Sequence, residues 1–240
     1  MLTLRKTKAG FGLEAREVQD PGPVGPGAVR VQVEAVGICG SDVHAYEWTE
    51  GYDFMVPHLP VTMGHEFAGR VVATGPGAAL AVGAKVAVHP RVYSGDGQTG
   101  WPGDPRLRGV RQSLGLTIDG GFARFVNVPA GNALPLPDTV DTELGALVEP
   151  LAVVAEAVLV GEVGLGDTVL VLGPGTIGQG LALMARAAGA GRVIVSGRAD
   201  QPRFAVLNQL GFTDIVDVAE GPLKEQVLAL NGGRPRRPGP

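Results

Sequence analysis

Thr168-Val-Leu-Val-Leu-Gly-Pro-Gly-Thr-Ile-Gly178 decides the fold of this chain. Its first half, Thr168 to Leu172, is a continuous apolar run, the pattern of a strand buried on both faces of a parallel sheet. Its second half, Gly173-Pro174-Gly175-Thr176-Ile177-Gly178, has the G-x-G-x-x-G spacing. A helix is predicted from about Gln179 to Ala188, stopped by Gly189-Ala-Gly191, and Arg192-Val-Ile-Val-Ser196 is the next strand. Alone, the glycine spacing says little. Between a buried strand and a helix, with a second strand behind, it specifies a dinucleotide-binding turn. The first glycine makes the tight turn, the second lets a diphosphate approach the backbone, and the third lets helix and strand pack. The helix N-terminus then meets the diphosphate.

The end of the second strand reports on the cofactor. An NAD site carries Asp or Glu about 20 residues beyond the glycines. Here Ser196-Gly197-Arg198 stands there, and Asp200 lies further round the loop. An arginine without an acid suits a 2′-phosphate better than a bare ribose hydroxyl, so NADP is expected over NAD, although most arginines merely solvate a surface. Further on, Pro202 to Leu210 reads as helix, Ile215-Val-Asp-Val218 as a third strand and Leu223 to Leu230 as a last helix. Three parallel strands make one mononucleotide half of a doubly wound sheet, expected over residues 149–232. Residues 233–240, ending Arg-Pro-Gly-Pro240, read as an irregular tail.

Upstream the texture is different. From Met1 to about Pro137 short Val- and Ala-rich runs, such as Phe67–Val72, Lys85–Val88 and Phe122–Val128, alternate with Gly and Pro breakers, and the segment reads as all-β. Val29 to Val36 alternates at period two and leads straight into Gly37-Ile-Cys-Gly-Ser-Asp-Val-His44, which places Cys39 where a strand breaks into a turn. A lone cysteine is usually a small hydrophobe. This one is flanked by glycine and followed by Ser41, Asp42 and His44, and Gly64-His65-Glu66 adds a second imidazole and carboxylate. Glu149 opens Glu149-Pro-Leu151, with Pro150 placed at a helix start. Glu149 either caps that helix or joins Cys39, His65 and a further carboxylate as a zinc ligand. The long segment Arg91 to Arg111 reads as a loop, and Trp101 within it lines a pocket or pins the surface.

Composition sets the outer limits. The chain has 240 residues, 45% hydrophobic and 18% charged, which suffices to bury a core in one large domain or two ordinary ones. A formal net charge of −4 gives no reason to expect nucleic acid or an anionic membrane as partner. No apolar run reaches the roughly 18 residues of a membrane span, and the N-terminus lacks the order of a signal peptide. One cysteine cannot form an internal disulfide, so a cytoplasmic, reducing location is expected.

Together, Gly37–His44, Gly64–Glu66, Gly120–Ala123, Gly145–Leu151 and Gly173–Gly178 resemble the zinc-dependent medium-chain alcohol dehydrogenase family, in its polyol (sorbitol-type) and threonine dehydrogenase branches. The resemblance implies a GroES-like β domain over residues 1–148, followed by an α/β Rossmann domain, with the active site in the cleft between them. It implies one catalytic Zn²⁺ held by Cys39, His65 and Glu66, with Glu149 where many alcohol dehydrogenases have cysteine. Arg91 to Arg111 carries none of the four cysteines of a structural zinc, so that second zinc is not expected. The substrate class implied is a small secondary alcohol, polyol-like or a threonine-type amino alcohol; Tyr46-Glu-Trp48 favours the latter. By resemblance Ser41 and His44 relay the proton, although alone they read as a turn residue and a surface histidine; His58 and His89 are expected to be structural. Relatives continue further, so the chain is expected to be C-terminally truncated, lacking the usual homo-oligomer edge, with the third strand an exposed sheet edge. A non-catalytic zinc- or nucleotide-binding remnant is the reading from a different class.

Overall fold

The computed structural model describes residues 1–94 and 110–232. Trp101 and the tail 233–240 lie outside these. Contacts divide the chain into two compact units, one running to Glu149 and one from Pro150 onward.

In the first unit β1 (Leu2–Lys6) and β2 (Glu14–Glu17) pair antiparallel, and β3 (Ala28–Val36) follows. A helix, α1 (Gly40–Glu47), comes next, then β4 (Val61–Thr62), β5 (Phe67–Thr74), β6 (Lys85–Val88), β7 (Arg91–Ser94), β8 (Val110–Ser113), β9 (Phe125–Pro129) and β10 (Ala133–Pro135). Two short helices close the series, α2 (Thr142–Ala146) and the start of α3 (Val148–Val160). The main sheet has five strands in the order β10-β6-β5-β3-β9, every pairing antiparallel. A three-stranded sheet β2-β1-β4 and the hairpin β7-β8 accompany it. Period-two alternation in β3 sends Val29 and Val31 inward against Phe67, Val71, Val86, Val126 and Val128. Each such valine contributes about 1.5–3 kcal/mol of burial. Strands β3 and β5 come so close at a register shift that a Cβ on Gly69 would lie 1.9 Å from the Gln32 carbonyl oxygen.

The expected all-β character of this region needs one correction. Cys39 is not at a plain turn; it is the N-cap of α1. The Asp42 carboxylate accepts the Cys39 N–H at 2.9 Å and so starts a helix in a stretch with little apolar periodicity.

The second unit contains the rest of α3, β11 (Thr168–Leu172), α4 (Thr176–Ala187), β12 (Arg192–Gly197), α5 (Gln201–Gln209), β13 (Ile215–Asp217) and α6 (Leu223–Leu230). The strands are parallel in the order β11-β12-β13, with Val171 opposite Val195 and Gly197 opposite Asp217. Val171, Ala182, Ala185, Val195, Phe204, Leu207 and Phe212 form its core. α3 meets α4 where Gly180 leaves room for Val154. Both β11 and β13 are outer strands. The third strand, β13, is thus at an edge of this sheet, and on the opposite edge strand β11 Leu170 is 40% and Leu172 70% exposed. β13 is only three residues long, and its Val216 is buried. No helix among the described residues is long and apolar enough to cross a membrane.

Candidate metal centre and dinucleotide turn

Three segments of the first unit converge. The end of β3 delivers Cys39, α1 carries Ser41, Asp42 and His44, and the turn before β5 carries His65 and Glu66. One ligand atom each from Cys39, His65 and Glu66 lie within 4.8 Å of one another, and these three form the set of that kind among the described residues. His65 and Glu66 are buried and Cys39 half-buried. Two glycines make this possible. Gly64 stands at φ +88, where a side chain would also strike Phe122. Gly37 leaves the space into which Glu66 extends, since a Cβ there would lie 2.4 Å from Glu66 Oε2.

Asp42 orders the set. It is 2% exposed, with Oδ2 accepting the Cys39 N–H and Oδ1 lying 3.6 Å from His65 Nδ1. The other ring nitrogen, Nε2, lies 3.3 Å from Ser41 Oγ. Burial lowers an imidazole's pKa, but hydrogen bonding and charge from Asp42 and Cys39 outweigh it and raise His65 to about 10. The proton held there in the absence of metal is one a metal ion would displace. A buried carboxylate beside one nitrogen of a histidine is the arrangement that orients metal-binding imidazoles. Thiolate, imidazole and carboxylate in one buried cluster suit Zn²⁺.

Glu149 stands inside the first turn of α3 and is not its cap; its side chain makes no hydrogen bond among the described residues. The N-cap role in this region belongs to Asp141, which accepts the Leu144 N–H at 2.8 Å. Glu149 is outside the 4.8 Å set but feels it. Burial pushes its carboxyl above the usual range, with His65 pulling down, Glu66 pushing up and Arg91 pulling down. His44 is exposed, its Nδ1 3.3 Å from Thr49 Oγ1 and its ring 5.9 Å from that of Tyr52. No hydrogen bond joins Ser41 to His44 among the described residues. His58 is exposed on a 3₁₀ turn, and half-buried His89 lies against the Arg91 carbonyl oxygen, burial lowering its pKa.

Sequence reasoning assigned no role to Asp42 or Tyr52. Burial raises the Tyr52 pKa, and the charges of Cys39 and Asp42 add to the rise, so its phenol lies within their field. An acid three residues after the N-cap is a capping-box signal that singles out Asp42; no comparable pattern marks Tyr52.

In the second unit the turn has the form a diphosphate requires. Gly173 is at φ +102, and a Cβ on Gly178 would lie 1.8 Å from the Gly173 carbonyl oxygen. Gly175 is the N-cap of α4, no side chain caps that helix, and a Cβ on it would meet nothing within 4 Å. The amides there are unspent, and the space beside them is open, as an anion needs. Pro174 is buried, while Thr176 and Ile177 are exposed. Arg198 is exposed and makes no hydrogen bond or ion pair among the described residues. Asp200 is engaged elsewhere, accepting the Arg203 N–H at 3.4 Å and pairing with the Arg203 guanidinium at 2.6 Å.

Residues 25–138 match the alcohol dehydrogenase GroES-like domain. The chain is 35% identical over 234 residues to L-threonine 3-dehydrogenase of Pyrococcus horikoshii, covering 97% of this chain and 66% of that protein. It is 36% identical over 238 residues to sorbitol dehydrogenase of Halalkalibacterium halodurans, covering 97% and 67%. The crystal structure of 2R,3R-butanediol dehydrogenase from Bacillus subtilis superposes with a TM-score of 0.83 at 32% identity, covering 96% of this chain and 67% of that one. The chain therefore spans about two thirds of the length of the relatives it matches. With a GroES-like segment, a parallel half-sheet behind a G-x-G-x-x-G turn, and relatives of this kind along its length, the chain belongs to the zinc-dependent medium-chain alcohol dehydrogenase family.

Proposed function

We propose that this chain is a zinc-dependent oxidoreductase that moves a hydride between a secondary, polyol-like alcohol and a nicotinamide dinucleotide. The observation that carries the reading is the convergence of Cys39, His65 and Glu66 ligand atoms within 4.8 Å. These three residues are assigned as ligands, with Glu149 as the further carboxylate of the site. Zinc bound there supplies a Lewis acid that lowers the pKa of an alcohol hydroxyl, and a dinucleotide on the Gly173–Gly178 turn supplies the hydride acceptor.

The residues of the chain do the rest. Asp42 beside Nδ1 fixes the His65 ring with Nε2 toward the set. The Ser41 hydroxyl, 3.3 Å from that Nε2, is placed to take the substrate proton. His44 is exposed and exchanges that proton with water. Gly173, Pro174, Gly175, Thr176, Ile177 and Gly178 form the turn that holds the diphosphate, and Arg198 meets the 2′-phosphate of NADP. The exposure of Arg198, without a hydrogen bond or ion pair among the described residues, and the engagement of Asp200 with Arg203 support NADP over NAD. The GroES-like domain is assigned to residues 1–148 and the partial Rossmann domain to 149–232.

The 35% identity to a threonine dehydrogenase favours a second reading, oxidation of a threonine-type amino alcohol. Turnover of the zinc-loaded chain on sorbitol, 2,3-butanediol and L-threonine, followed by reduced-nicotinamide absorbance with NADP and with NAD, tests both. Turnover of the diols above threonine supports the first reading. Threonine turnover alone supports the second, and no turnover of any substrate by fully zinc-loaded chain contradicts both.

A further inference from the structure

The loop that carries Arg198 is shaped from the neighbouring strand. Gly197 and Asp217 are register partners at the ends of β12 and β13, and Val218 donates its N–H to the Gly197 carbonyl at 2.9 Å. Asp217 Oδ1 accepts two backbone N–H groups, from Ala199 and from Ala219, each at 2.9 Å. Ala199 stands at φ +49, a left-handed conformation that costs an alanine on the order of 1 kcal/mol or more. Released from Asp217, Ala199 has every reason to relax, and Arg198 next to it turns with it.

The flanks are fixed independently. Gly197 leaves room for Phe204 and Pro174, since a Cβ there would lie 2.6 Å and 2.9 Å from their side-chain atoms. Asp200 is tied to Arg203. The loop is thus pinned on both sides, with the exposed Arg198 guanidinium in the middle, within the field of the Asp217 carboxylate. The Ala199 and Ala219 amides, with a smaller contribution from the charge of Arg198, hold the Asp217 carboxyl below its usual pKa, so it is ionised and accepting at neutral pH.

We propose that Asp217 is a positioning residue for cofactor choice: by accepting the Ala199 N–H it holds the left-handed turn that presents Arg198 to the 2′-phosphate of NADP. The inference rests on the reading that Arg198 meets that phosphate. Asp217 acts through the backbone and does not touch the nucleotide. Losing the latch lowers the fraction of chains whose loop is competent, and apparent affinity falls by the same fraction.

The test is titration of the 240-residue chain with NADPH and with NADH for the parent, Asp217→Ala, Asp217→Asn and Arg198→Ala, alongside amide hydrogen exchange at Ala199 and Ala219. Asp217→Ala is expected to lose about tenfold in NADPH affinity, to change NADH affinity less than about twofold, and to lose protection at both amides. Asp217→Asn keeps an acceptor oxygen and is expected to keep both the preference and the protection. A shift of the NADPH:NADH ratio in Asp217→Asn would mean that the charge acts on the ligand or on Arg198 and not through the backbone latch, and would overturn the proposal, even if Asp217→Ala fails to fold. An unchanged ratio in Asp217→Ala despite lost Ala199 protection would also overturn it. An unchanged ratio in Arg198→Ala would overturn the cofactor reading itself, and the proposal with it, whatever the Ala199 amide shows.

Discussion

At the scale of single residues the proposed metal centre depends on side chains that are absent as much as on those present. Gly37 has no Cβ where one would lie 2.4 Å from Glu66 Oε2. Gly37→Ala is therefore expected to displace that carboxylate and weaken zinc binding about 10–100-fold, read by competition with a chromophoric chelator. Unchanged affinity would remove Glu66 from the site. Asp42→Ala is expected to cost a similar factor through the loss of His65 orientation. His65 also makes a pH prediction. Its folded pKa of about 10 lies above the ordinary imidazole value of about 6.5, so the folded metal-free chain holds the proton more tightly than the unfolded chain. That stabilisation is complete below about pH 6.5 and is lost as pH rises toward 10. The metal-free melting temperature should fall across that window, the zinc-loaded one should not follow it, and zinc uptake should release protons. A parallel decline in both forms would contradict the assignment of His65.

At the scale of elements, the same glycine motif predicts two different failures. A Cβ on Gly178 would lie 1.8 Å from the Gly173 carbonyl, so Gly178→Ala should destabilise the second unit by about 1–3 kcal/mol in thermal or urea unfolding. A Cβ on Gly175 meets only open space, so Gly175→Ala should fold normally and bind NADPH and NADH more weakly. Equal stability loss in both would mean that the turn is structural and nothing more. In the first unit the buried Lys6 ammonium donates to the carbonyls of Gly10, Gly12 and Tyr46 and lies 5.0 Å over the Trp48 ring, joining β1 to the end of α1. Lys6→Met should cost about 1–3 kcal/mol by leaving the Gly10 and Gly12 carbonyls without this donor. Elements with a strong local pattern were legible in the sequence: β6 and α6 lie at the predicted positions because turn residues bracket each. The helix α1 was not. Its start depends on the reciprocal capping of Cys39 and Asp42, and its eight residues bury only Asp42 and Ala45, too little to leave a helical period. Tyr52 was illegible for a related reason, since its nearness to Cys39 and Asp42 is a product of the tertiary fold.

At the scale of the whole molecule, two compact units divide the proposed chemistry, the ligand set in one and the dinucleotide turn in the other. The exposed leucines of β11 leave that side of the parallel sheet apolar. The measurement that bears most directly on the central claim is zinc X-ray absorption of the metal-loaded chain. One zinc per chain is predicted, with a single sulfur at about 2.3 Å and nitrogen or oxygen in the remaining positions, the sulfur disappearing in Cys39→Ser. A shell without sulfur, or no zinc uptake at all, would contradict the claim that Cys39, His65 and Glu66 form the metal centre of an alcohol oxidoreductase.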